Sequence, residues 1–154
     1  MRILKILFLM LFVVLIAIQF IRPARNISAL VSPADITKTV NVPNSVLDIF
    51  KSACYDCHSN NSRYLWYVNI QPIGWMMANH IKNGKANLNF SEFGSYSKRK
   101  KINKLRSIEA SLKDGSMPIS SYKFMHKDAV LSPENKTLLR DWATKTRDSL
   151  NVNY

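Results

Sequence analysis

Apolar residues fall into two regimes along this chain. From Ile6 to Ile21, 15 of 16 positions are apolar, broken only by Gln19. Beyond Arg22 they recur every three or four residues, with polar and charged residues between them. A run apolar on every side suits a helix surrounded by hydrocarbon, whereas the second pattern predicts helices with one buried face. Counted from Ile3, the first segment has 19 residues; at 1.5 Å rise it is roughly 28 Å long, close to the hydrocarbon thickness of a bilayer.

Four amphipathic helices are predicted beyond it. Val46, Ile49, Phe50 and Ala53 mark one face of a helix capped by Asn44 or Ser45 and broken after 58 by Ser59-Asn60-Asn61-Ser62. Ile73, Trp75, Met76, Met77, His80 and Ile81 predict a helix over 72–83, with Pro72 in its first turn and Gly84 as its stop. Ile102, Leu105, Ile108 and Leu112 form the inward stripe of a helix over 97–114, ended by Gly115. Ser132 and Pro133 open the last helix, with Leu138, Leu139, Trp142, Ala143 and Thr146 facing inward. It is expected to cross the helix ending at Cys54. Strand alternation and internal repeats are absent, so the expected class is all-α. The expected domains are an anchor or signal segment over 1–21, a linker or surface arm over 22–42, and one folded domain over 43–150. Thr37–Val42 is expected as a short extended piece. The aromatic run Tyr64–Val68 reads as core or as the wall of a ligand crevice.

Charge refines this picture. Arg2 and Lys5 precede the apolar run, so 20 of the 22 basic residues follow it against all 10 acidic ones, a balance of +10. A positive head before a long apolar run is an export signal. No clear small-residue cleavage site and no lipobox cysteine follow, so an uncleaved anchor is preferred over a cleaved peptide that would leave a soluble periplasmic body. Flanking charge barely sets the orientation, because Arg22 and Arg25 offset Arg2 and Lys5. The basic body suits an acidic protein partner or anionic headgroups. Export, and the lack of any nucleic-acid-binding motif, argue against nucleic acid. Lys98, Arg99, Lys100, Lys101, Lys104 and Arg106 concentrate the charge on one helix, as a solvated face or a docking patch.

The chemistry centres on Cys54-Tyr55-Asp56-Cys57-His58, the chain's only two cysteines with a histidine directly after. C-x-x-C-H reads as an attachment site for one c-type haem, with thioethers from Cys54 and Cys57 and His58 on the iron. Two alternatives stay open. One is a thiol–disulfide C-x-x-C, although the preceding residues read as helix rather than strand. The other is a zinc site or structural disulfide, although His80 lies 22 residues after His58, a poor finger spacing. A haem would place its body outside the cytoplasm, in an oxidising compartment. A carbonyl near Pro72 is a candidate acceptor for the second ring nitrogen of His58, and Gly74 a candidate for close approach to a flat ligand. Met117-Pro118 follows a helix, 59 residues after His58, where a thioether can present itself across a haem. Met117 is therefore the leading distal ligand. His80, Met125 and His126 are the alternatives, with a five-coordinate iron a further one.

Several segments together resemble a known family: CYDCHSN at 54–60, the run from Arg63 to Trp75, GKANLNFSEF at 84–93, SMPISSY at 116–122 and the helix starting LSPE from Leu131. Over about residues 43–148 the chain resembles the exported bacterial haem-binding domain proteins, related to class I c-type cytochromes. The resemblance implies a class I cytochrome c-like helical domain around one covalently attached haem. It implies haem attachment at Cys54 and Cys57, His58 as proximal ligand and Met117 as the Met-Pro distal ligand. The longer middle region and the basic helix before Met117 depart from the class I pattern.

The expected function is one-electron transfer by a His/Met-ligated haem c on the periplasmic side of the bacterial inner membrane, with acidic or membrane-bound redox proteins as partners. A carrier is favoured over an enzyme because there is one haem motif and no evident substrate site. The alternatives are peroxidase-like or ligand-binding chemistry, with His80 or His126 as distal acid/base, and a haem redox sensor.

Overall fold

A computed structural model describes residues 1–28 and 30–152; Ala29, inside the expected linker, lies outside the described residues. Every regular element among them is helical. The elements are α1 (Arg2–Ala17), α2 (Ile36–Thr39), α3 (Asn44–Ala53), α4 (Tyr55–His58), α5 (Ile73–Asn87), α6 (Lys98–Asp114), α7 (Ser120–Met125) and α8 (Pro133–Val152). Short 3-10 turns cover Ile18–Phe20, Trp66–Asn69, Phe90–Ser95 and Lys127–Ala129.

Helix α1 with its 3-10 turn is a 19-residue apolar rod, mean hydropathy 2.8, none of whose residues is buried. Its length and composition suit a membrane anchor. Helices α6 and α8 start at side-chain caps. Ser97 Oγ accepts from Lys100 N at the start of α6, and Gly115 ends it in the left-handed conformation at φ 74°. Ser132 Oγ accepts from Asn135 N at 3.1 Å before α8.

Other boundaries differ from expectation. Helix α3 begins at Asn44 itself, and no side chain caps it; Pro43, extended at ψ 148°, takes the capping position. Helix α5 runs through Gly84 to Asn87, because Gly84 meets a neighbouring backbone rather than ending the helix. Thr37–Val42 does not start as an extended piece. Asp35 accepts from Thr37 N and winds Ile36–Thr39 into a turn of helix. Ser120–Met125 adds one short helix, packed close to the 3-10 turn at Lys127–Ala129.

The core gathers around Phe50, whose ring lies 4.6 Å from Phe90 and 5.2 Å, edge-on, from Trp142. The expected contact between the last helix and the one ending at Cys54 is thus made. The main partner of α8 is nonetheless α6, where Arg147 holds both carboxylate oxygens of Glu109 at 2.8 Å. Each large apolar side chain buried here contributes about 1.5–3 kcal/mol. Tyr67 and Val68 are core residues, and none of Tyr64–Val68 borders the large cavity described below.

Residues 26–28 and 30–39 lie as an arm on the domain. Asn26 Nδ2 donates to the Ser59 carbonyl and Ser62 Oγ, both at 2.9 Å. Gly94 N donates to the Ala34 carbonyl at 2.7 Å, and Ile36 is completely buried.

Candidate functional site

Cys54 ends α3 and, by accepting from Cys57 N at 3.2 Å and His58 N at 2.9 Å, opens the single turn of α4. That turn puts both thiols and the imidazole on one wall of a cavity of about 460 Å³. This volume falls within the roughly 300–1,000 Å³ usual for cofactor and ligand sites. Phe50, Leu88, Phe90, Leu131 and Leu139 make the cavity largely apolar. Helix α6 contributes Lys104, Ser107, Ile108, Ser111 and Leu112, and the loop after it brings Met117, Pro118 and Ile119 to the same space.

Met117, His80, Cys54, Cys57 and His58 therefore share one cavity. Met125 and His126 do not line it. His126 is buried behind Tyr122, its ring stacked 3.9 Å from the tyrosine ring and hydrogen-bonded to Tyr67 Oη.

The carbonyl that holds His58 belongs to Leu88, not Pro72. Nδ1 donates to it at 2.9 Å. A carbonyl only accepts, so the proton sits on Nδ1 and the lone pair on Nε2, the tautomer a metal-binding imidazole requires. Pro72 stands at the wrong end of α5; Leu88 caps the end that reaches α4. The negative end of the α5 dipole adds to the basicity of the ring. Burial holds the His58 pKa below its ordinary value, favouring the neutral ligand form.

Gly84 makes this contact possible. A Cβ there would overlap the Cys57 carbonyl oxygen and lie 3.0 Å from its carbon and 3.1 Å from Cys57 Cβ. Gly74, the expected site of close approach, faces the Val68 carbonyl and the Gln71 side chain, away from the cavity.

Asp56, inside the pentad, is buried and anchors the turn. It accepts from Arg63 N at 2.8 Å, from Arg63 Nε at 3.1 Å, and from Tyr122 Oη. Arg63 also reaches Asp128 at 2.9 Å and the Ser52 carbonyl at 3.0 Å. Sequence reasoning missed this clasp. Its one signal was an acidic residue inside the pentad with an arginine seven positions on.

Electrostatics separate the chemical alternatives. Burial pushes the Cys54 thiol up to about 12 and Cys57 up to about 11. A thiol–disulfide catalyst needs the opposite, a thiolate stabilised near neutrality. Among the described residues no three His, Cys, Asp or Glu side chains converge as metal ligands, so zinc has no closed set. A haem iron needs none, because the porphyrin supplies four donors. An apolar cavity bearing two protonated thiols, a correctly tautomerised imidazole and a thioether fits a haem by the chemistry of its walls.

These features define an all-α module with one apolar helix before it and a cofactor-sized cavity beside its C-x-x-C-H turn. The chain belongs to the haem-binding domain family, which matches it over residues 13–145. No curated protein and no solved structure matches it.

Proposed function

We propose that this protein is a membrane-tethered one-electron carrier with a class I cytochrome c-like domain. Cys54 and Cys57 would hold one haem c covalently, His58 and Met117 would ligate its iron, and the domain stands on the periplasmic side of the bacterial inner membrane. The observation that carries the reading is that both thiols, His58 with Nδ1 committed to Leu88, and Met117 line one apolar cavity. When bound, the haem supplies a one-electron Fe(II)/Fe(III) couple. The chain does the rest. Leu88 keeps the imidazole in one tautomer, and the Asp56–Arg63 clasp holds the turn that carries it. Phe50, Phe90, Leu131 and Leu139 exclude water, which sets the potential. The Met117 thioether, as the softer ligand, raises the potential relative to a second histidine. The basic face of α6 suits docking of an acidic or membrane-bound redox protein.

Redox-resolved absorption spectra of the full chain and of Met117→Ala test this. Colour should survive acid–acetone extraction, and a sulfur-to-iron charge-transfer band should be present in the wild type and absent in the variant. Extraction of all colour overturns covalent attachment, and a band that persists in the variant overturns Met117. His80 lines the same cavity, which favours peroxidase-like or ligand-binding chemistry as the second reading. A spectrum unchanged by cyanide or carbon monoxide rejects that reading.

A further inference from the structure

Gln19, the one polar residue of the apolar run, grips both main-chain groups of Gln71. Its Oε1 accepts from Gln71 N at 2.9 Å, and its Nε2 donates to the Gln71 carbonyl at 3.2 Å. Trp75 Nε1 donates to the Ile21 carbonyl at 2.8 Å, and Arg25 donates to Asn69 Oδ1 at 3.0 Å. The family match also begins at residue 13, inside the apolar helix. The end of α1 is thus built into the domain, so that, with α1 across a bilayer, the segment around Gln71 would stand where the helix leaves the hydrocarbon.

That segment is apolar where a soluble surface would be polar. Trp66 is 72% exposed, Ile70 44%, Leu65 41%, Ile73 39% and Trp75 36%. Neighbouring Cα atoms are about 3.8 Å apart, which keeps Ile70 beside the Gln71 that touches Gln19. Trp66 lies one 3-10 turn further, at about 2 Å per residue. Tryptophan settles at the headgroup level of bilayers, and Arg22 and Arg25 beside it suit anionic headgroups.

We propose that residues 65–75 form a second membrane contact, a seat in the headgroup layer of the bilayer that α1 crosses. The proposal rests on the anchoring part of the function above. Helix α5 leads from this seat at Ile73 to the cavity wall at His80, Gly84 and Asn87. Its 15 residues cover about 22 Å. A seated domain therefore holds its cavity at a set height and orientation, where a free tether would let it tumble.

The test uses the full chain labelled with 5-fluorotryptophan, reduced, in nanodiscs of phosphatidylethanolamine and phosphatidylglycerol. The three tryptophan resonances are assigned with Trp66→Phe and Trp75→Phe, and buried Trp142 is the internal control. Lipid carrying a nitroxide headgroup should broaden the Trp66 and Trp75 signals severalfold, while a water-soluble gadolinium chelate leaves Trp66 sharp. Broadening of Trp66 by the chelate but not by the lipid overturns the seat. Shielding from both probes means that a protein surface covers it, which also overturns it. Flotation with vesicles separates the two levels. A chain that floats with Trp66 in water loses only the seat, and one that does not float loses the anchor as well.

Discussion

Replacing Gly84 with alanine sets two effects of opposite sign against each other. In an exposed helix interior, glycine to alanine stabilises by about 0.8–1.0 kcal/mol. Here the added methyl meets the Cys57 carbonyl group, with its carbon at 3.0 Å and Cys57 Cβ at 3.1 Å. All of these belong to backbone or its first side-chain atom, so no flexible tip can swing away. Overpacking of this kind costs about 1–3 kcal/mol. Moving α5 off α4 also stretches the bond from His58 Nδ1 to the Leu88 carbonyl, a further 0.5–1.5 kcal/mol or so. Net destabilisation of about 1–3 kcal/mol follows, or about 4–12 °C in Tm for a domain of this size. Circular dichroism melts of the full chain in detergent, at matched cofactor occupancy, measure it. Lys82→Ala on the exposed side of α5 is the control and should change little. A Gly84→Ala protein with unchanged or higher Tm refutes the packing argument, since helix propensity alone would then explain the result.

The other predictions concern the turn itself. Asp56→Asn removes a buried carboxylate that Arg63 and Tyr122 share, and should destabilise by about 1–3 kcal/mol, limited because Arg63 is half exposed; a denaturation midpoint equal to wild type would show that the clasp contributes nothing. With its folded pKa held below the ordinary 6.5 by burial, His58 takes up a proton more readily in the unfolded chain. Its contribution to stability is therefore complete above that pH and is lost as pH falls from about 6.5 toward the folded value. In haem-free protein, Tm measured between pH 8 and 5 should drop, and His58→Gln should flatten the profile. In haem-free protein, alkylation of Cys54 and Cys57 by iodoacetamide should be slow at pH 8 and rise about tenfold per pH unit toward their shifted values of about 12 and 11; rapid labelling at pH 7, read by mass spectrometry, would revive the thiol–disulfide reading.

What this chain's sequence determined by itself is whatever depends on neighbours in the chain. The apolar run of α1, the caps at Ser97 and Ser132, the stop at Gly115 and the C-x-x-C-H turn are local, since each needs only residues within about a helical turn of itself. The all-α class followed from the same periodicity. Tertiary structure alone decided which distant backbone meets that turn. The carbonyl on His58 comes from 30 residues away, and nothing around Leu88 marks it as an acceptor. Gly84 reads as a helix stop until α4 is seen against it, because a missing side chain suits either a chain reversal or a close crossing. Asp56 resembles a surface residue until Arg63 and Tyr122 fold over it. Periodicity specifies that a helix has a buried face. The identity of the atoms that face meets depends on how the helices pack, and that packing placed both thiols, the imidazole and Met117 around one space.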